Sequence, residues 1–290
     1  MDDRQKLRKI IQDHYKRDHD ALGDTGTLAL LDAGRQWDLS KTLSTGGVVV
    51  FPHANVADCG HEIAAAVHAT LDSGADRVMV VSVLHAFTNE MENARIRVAN
   101  GGDPVKETHC GIQGTDIDGA RQEWQEDHAL ISWRHLFAAE VKRRGITGPE
   151  VIERYPYLAG GKPNQLPGFD EMARLAEECV IVSTADPFHH GIGYGTPPSE
   201  SYMPEEGGLD LARRTIQSGI DLLTAGEYWG YNQHCVEAKS DARDAGQVFR
   251  HLRGPMAGQI VDLTHSDASG VYNQPPPTWV ATALFDWQLR

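Results

Sequence analysis

Two apolar runs that each end in a histidine constrain this chain more than any other feature. Gly47-Val48-Val49-Val50 leads into Phe51-Pro52-His53-Ala54, and the next apolar run, 77–83, is followed by Leu84-His85. Short runs rich in valine, bounded by breakers, read as strands buried on both faces. A helical pattern from about Gly60 to Leu71 separates them, so the order is strand, helix, strand, which implies parallel pairing and a right-handed crossover. Sheets of this kind bind ligands beyond the carboxyl ends of their strands. His53 and His85 therefore fall at the mouth of an α/β sheet, where a neutral imidazole can reach a metal while its other nitrogen is held by a neighbour. The alternative is a pair of partly buried histidines satisfied by ordinary hydrogen bonds.

The rest of the chain fits one domain. With 290 residues, 40% of them hydrophobic, it can bury one large core. The expected fold is α/β, a single domain with a central mixed, largely parallel sheet flanked by helices. Leu7, Ile10, Ile11 and Tyr15 recur at helical spacing over about 3–20, and residues 1–45 read as a helical extension ahead of a domain at 46–290. That opening helix could cap the domain or serve a contact with a second copy of the chain. Further helices are expected at about 127–144, 170–178, 208–225 and 240–252, and strands at 179–183, 259–264 and 279–285. The segment from Asn89 to Gly114 and the stretch 186–191 read as loops.

Charge excludes some partners. Lys and Arg number 27 against 41 Asp and Glu, a net charge of −14 that repels nucleic-acid phosphates and anionic lipid heads. No run of ~18 apolar residues is present to span a bilayer, and the first residues lack the apolar core of a signal peptide, so a cytoplasmic protein acting on a small molecule is expected. Cys59, Cys110, Cys179 and Cys235 are scattered without a C-x-x-C pair, which leaves neither a zinc knuckle nor a disulfide framework legible.

Other residues extend the possible site. Asp186 and His189, with His190 beside them, follow the strand at 179–183; a carboxylate and an imidazole on one loop can divide proton work, although Asp-Pro is also ordinary turn chemistry. Cys235 is read as lying near a helix N-terminus, which favours its thiolate as a metal ligand, and Glu237 offers a carboxylate instead. Two histidines with a carboxylate would suit Fe(II), whereas a thiolate would also take copper or zinc. His128 and His135 are seven residues apart, two turns of the expected helix, and could share a pocket-facing side. Tyr231, in the aromatic run from Tyr228, reads as core or pocket wall.

At these residues the chain resembles the Memo (mediator of cell motility) family, the AmmeMemoRadiSam system protein B family, which is related to class III extradiol dioxygenases. Pro52-His53-Ala54 followed by Cys59-Gly60, the strand Val80-Val81-Ser82-Val83 ending at His85, and Thr184-Ala185-Asp186-Pro187-Phe188-His189-His190-Gly191 resemble its motifs in order, over roughly residues 46–286. The resemblance implies a metal site of His53, His85 and Cys235 with Asp186 and His189 beside it. It departs after Cys235, where Val236-Glu237-Ala238-Lys239 replaces the family's Gly-Arg-x-Pro and keeps Glu237 in play as third ligand. Asp127-His128-Ala129 echoes the family's Glu-His-Ser only loosely.

The expectation that follows is a non-haem metal-dependent oxidoreductase, an Fe(II)- and O₂-dependent oxygenase or oxidase acting on a small aromatic or amine-bearing substrate. Two readings compete with it: a non-catalytic metal-binding or scaffold protein of the Memo type, and a zinc-dependent hydrolase.

Overall fold

The valine-rich runs form the middle of an eight-stranded sheet in the computed structural model, which describes residues 3–119 and 121–290. The chain opens with α1 (Asp3–Gly34) and α2 (Ser40–Ser44), then alternates through β1 (Val48–Phe51), α3 (Val56–Asp72), β2 (Arg77–Val81), α4 (Asn89–Ala99), β3 (Gly111–Gly114), α5 (Ile131–Arg144), β4 (Glu150–Tyr157), α6 (Phe169–Ala176) and β5 (Val180–Thr184). It continues with β6 (Phe188–Gly191), α7 (Gly208–Ala225), α8 (Tyr228–Glu237), α9 (Arg243–Arg253), β7 (Met256–Asp267), α10 (Ser269–Tyr272) and β8 (Thr278–Leu289). The strand order is β3-β4-β2-β5-β1-β8-β6, with β7 paired to β8. The inner strands β4, β2, β5 and β1 are mutually parallel, and β3, β8, β6 and β7 join antiparallel. This is the expected α/β domain, with a mixed sheet flanked by helices. No helix among the described residues is long and apolar enough to cross a membrane.

Because β1, β2 and β5 run the same way, His53, His85 and Asp186 all leave the sheet at one edge. The strands themselves are fully apolar at the core: Val48, Val49, Phe51, Met79, Val80 and Ile181 have no exposed surface. Burying a Val or Ile side chain contributes roughly 1.5–3 kcal/mol each, so the platform beneath the site is rigid.

The helical extension is longer than the opening pattern suggested, and it belongs to the same core. α1 bends at Gly23, whose φ of 59° is open to glycine, and resumes to Gly34. There a Cβ would stand 2.6 Å from the Ala64 Cβ on α3, so only glycine allows this approach. The first turns of α1 then pass over the edge where β1 ends, and Tyr15 donates its hydroxyl hydrogen to the His53 carbonyl.

Several stretches expected as loops are ordered elements. α4 and β3 lie within 89–114, β6 occupies 188–191, and β4 had no sequence signal because Glu153, Arg154 and Pro156 interrupt its apolar pattern. Burying those charges is tolerable because they are satisfied: Arg134 Nε donates to Glu153 Oε1 at 2.7 Å, and Arg154 Nη1 donates to the Thr115 carbonyl at 2.7 Å. α5 starts at Ile131 and not at 127, since the Asp127 carboxylate is turned toward His85 and the Ala129 N–H.

Candidate metal centre

Each strand-end histidine is fixed through one ring nitrogen, and the other is left pointing into a cavity of about 370 Å³. His53 Nδ1 lies 3.1 Å from the Thr184 hydroxyl at the end of β5, and its Nε2 lies 3.1 Å from Asp241 Oδ2. His85 Nδ1 lies 3.0 Å from Asp127 Oδ1, and its Nε2 faces the same Asp241 oxygen at 3.8 Å. Asp127 also accepts from the His85 and Ala129 backbone N–H groups at 2.8 and 2.9 Å, which fixes its own orientation. A histidine whose Nδ1 hydrogen bonds a carboxylate or hydroxyl in this way can offer Nε2 to a metal that displaces the Nε2 proton.

His128 completes an imidazole cluster. Its ring stacks on His85 with centroids 4.0 Å apart, and its buried Nδ1 has no hydrogen-bond partner among the described residues. Burial and the neighbouring His85 push it well below the usual histidine range, so the ring is neutral and able to ligate. Donor atoms of His53, His85 and His128 lie within 4.8 Å of one another, and so do those of His53, Asp186 and Asp241. This buried histidine and aspartate cluster could bind a divalent metal.

Asp186 and His189 line the same cavity. Asp186 Oδ1 accepts from the His53 N–H at 3.0 Å, its own N–H donates to Asp241 Oδ1 at 2.8 Å, and its Oδ2 stands 3.8 Å from His53 Nε2. Burial raises Asp186. Asp241 is subject to the same burial, but His53 outweighs it and holds that carboxylate below the ordinary range. For His53 the burial that would lower it is overcome by Asp186 and Asp241, which push it up to about 9. In His189, burial dominates and lowers the ring toward the neutral form; its Nδ1 is buried without a partner, and its ring meets the edge of Tyr194 at 4.8 Å.

Other residues singled out from the sequence lie elsewhere. Cys235 is not at a helix N-terminus but in the last turn of α8, where the helix dipole disfavours a thiolate. It lines a separate apolar cavity with Tyr231, Phe249 and Trp287, and burial pushes its thiol up to about 12. Glu237, the last residue of α8, is exposed and lines neither cavity. His135 stacks on His19 at 4.5 Å and bonds Thr27, because His128 precedes α5 and the two do not share a helix face. His190 packs on Phe188 and accepts the Tyr202 N–H at 3.1 Å, on the other side of its strand from His189. Of the four side chains proposed to line the pocket, only His128 does.

Asp241 went unnoticed in the sequence. It falls at the start of the helical pattern expected over about 240–252, where a single aspartate carries no signal of its own. Compared with known proteins, the chain matches no family model and no curated protein.

Proposed function

We propose that the chain is a non-haem metal-dependent oxidoreductase of the Memo and class III extradiol dioxygenase type, using Fe(II) and O₂ on a small aromatic or amine-bearing substrate. One observation carries the reading: two imidazoles, each locked through Nδ1, turn their Nε2 atoms toward the same carboxylate oxygen. His53, His85 and Asp241 would hold the ion, and His128 and Asp186 stand close enough to contribute. The donor set fits, since two histidines and one carboxylate make the triad of non-haem Fe(II) sites, a set that Zn²⁺ also accepts. When bound, such an ion supplies electrons to dioxygen and Lewis acidity toward the substrate.

The protein's own residues provide the rest. His189, neutral and with Nδ1 free, is placed to take a proton from a substrate hydroxyl or ammonium, and Asp186 beside it steadies the resulting charge. Tyr15 and the first turns of α1 line the cavity, while Phe87, Tyr194 and Tyr272 give it aromatic walls that suit an apolar substrate body. All four cysteines are free and buried, in keeping with a cytoplasmic setting.

The test is metal content and oxygen consumption. Protein purified anaerobically and loaded with Fe(II) is expected to hold one equivalent and to consume O₂ with members of a catechol, aminophenol and amine panel. Zinc in place of iron, with ester or amide hydrolysis and no O₂ uptake, would move the assignment to the hydrolase reading. Metal held with no turnover of any substrate would favour the scaffold reading.

A further inference from the structure

The metal cavity has an apolar neighbour. The smaller cavity that Cys235 lines has a volume of about 50 Å³ and is walled by Ile216, Ile220 and Leu223 of α7 and by Phe249, Phe285 and Trp287. Every residue around it is buried except His234, which is half-buried. The few polar groups of the lining are bonded inside the protein. Ser183 Oγ donates to the Val81 carbonyl at 2.7 Å, the Tyr231 hydroxyl and the Cys235 thiol bond each other, and Ser240 Oγ accepts the Ala242 N–H at 3.2 Å. Among the described residues, no side chain of this lining has a buried polar atom without a partner. The volume exceeds the ~10–15 Å³ that one water requires, but a buried water also needs several polar partners, and this lining has none left over. Cavities of that kind stay dry and take apolar guests.

Its place is directly behind the metal centre. Asp186 lines the metal cavity, whereas its sequence neighbours Ala185 and Pro187 line the apolar one, and Asp241 and Ala242 divide in the same way. One layer of chain, 185–187 beside 240–242, therefore separates the two spaces. Among the described residues, Ser240 alone borders both. Its hydroxyl reaches the Asp186 carbonyl at 3.5 Å, the long limit of a hydrogen bond, so the barrier between the cavities is one small side chain.

We propose that this cavity is a second ligand site, which takes one dioxygen molecule from solution and holds it a single layer of chain away from the metal centre. Size sets the class of guest. An aromatic ring needs a cavity on the order of 150 Å³, so the organic substrate is excluded and only a monatomic or diatomic apolar molecule fits. The preference for such a guest follows from the lining alone, while the choice of dioxygen among them rests on the metal-centre reading. A dry apolar space concentrates an apolar gas relative to water for the same reason that it rejects water.

The experiment uses the full chain, metal-free and zinc-loaded, with xenon and dissolved dioxygen as probes and methyl NMR as the readout. Xenon is expected to shift the methyls of Val50, Ile216, Ile220 and Leu223 saturably. Paramagnetic dioxygen is expected to relax them several-fold faster than the methyls of Ile63 and Leu136, which are also buried but line neither cavity. Ile220→Trp, whose ring fills the space, is expected to abolish both responses with zinc content unchanged. No saturable xenon shift at these methyls, dioxygen relaxation no greater than at Ile63 and Leu136, or an Ile220→Trp protein that responds as the unmodified chain does would each overturn the proposal. Should Ile220→Trp fail to fold, the methyl map of the unmodified protein decides alone, because it locates the guest directly. A protein that takes up no metal yet gathers dioxygen at these methyls would refute the metal reading and leave this site standing; one that holds metal and consumes dioxygen while the methyls stay silent does the reverse.

Discussion

Asp127→Asn tests whether the histidines are organised for a metal or only packed. Asp127 is 2% exposed and acceptor on both oxygens: Oδ1 takes the Ala129 N–H at 2.9 Å and lies 3.0 Å from His85 Nδ1, while Oδ2 takes the His85 N–H at 2.8 Å. An asparagine keeps one acceptor. Whichever way its amide is turned, the NH₂ confronts a backbone N–H, of Ala129 in one orientation and of His85 in the other. If the NH₂ donates to His85 Nδ1 instead, the ring proton moves to Nε2 and the lone pair that a metal would use is lost. The expected cost in metal affinity is the 10–100-fold typical of losing an outer carboxylate, about 1.4–2.7 kcal/mol. One unsatisfied buried donor adds roughly 1–3 kcal/mol of lost stability. Competition with a calibrated chelator, using Zn²⁺ or Co²⁺, measures the first, and urea unfolding of the metal-free protein measures the second. A variant that folds, loses stability and yet holds metal within about threefold of the unmodified protein would refute the claim that Asp127 orients His85 as a ligand.

Further expectations address the ligands and the packing beneath them. His53→Ala and Asp241→Asn should each lose the metal while the fold survives, whereas Cys235→Ser should keep a full equivalent; a Co²⁺ derivative should show no sulfur charge-transfer band in the near ultraviolet, and a band that disappears in Cys235→Ser would reinstate the thiolate. His189→Ala should retain metal but lose ~10²–10⁴ in turnover on an identified substrate, and a wild-type rate would remove it from the proton pathway. At Glu140, burial raises the carboxyl, but the hydrogen bonds from Arg143 Nε at 2.6 Å and Arg144 Nε at 2.7 Å outweigh it and lower the folded-state value. Its stabilising contribution is therefore full above the unfolded carboxyl range of about 4.3 and is lost as pH falls through the lower folded value. Urea midpoints from pH 7 down to 3 should fall more steeply for the unmodified chain than for Glu140→Gln, and parallel curves would show that Glu140 titrates alike in both states.

The inner strands were legible because Val48–Phe51, Arg77–Val81 and Val180–Thr184 are buried on both sides, so nothing polar interrupts them. β4 and β6 were not, for a physical reason. Glu153, Arg154, His189 and His190 satisfy their polar groups or face a cavity only once Arg134, Thr115, Tyr202 and the site are in place, and those partners are distant in sequence.

The site shows the same division between what one strand can specify and what several segments must assemble. His53, His85 and Asp186 could be placed at one edge because each follows a parallel strand, and strand direction alone fixes which edge that is. A ligand role for Cys235 rests on the family resemblance and on a helix N-terminus, and the second support is removed because α8 begins at Tyr228 and holds Cys235 in its last turn. Asp241 lies in the turn between α8 and α9, two residues ahead of α9. Its oxygens go to the Asp186 N–H and to the two imidazoles, at the junction where the turn after α8 meets the end of β5. A carboxylate buried against two oriented histidines is placed by the cluster it completes, not by its sequence neighbourhood.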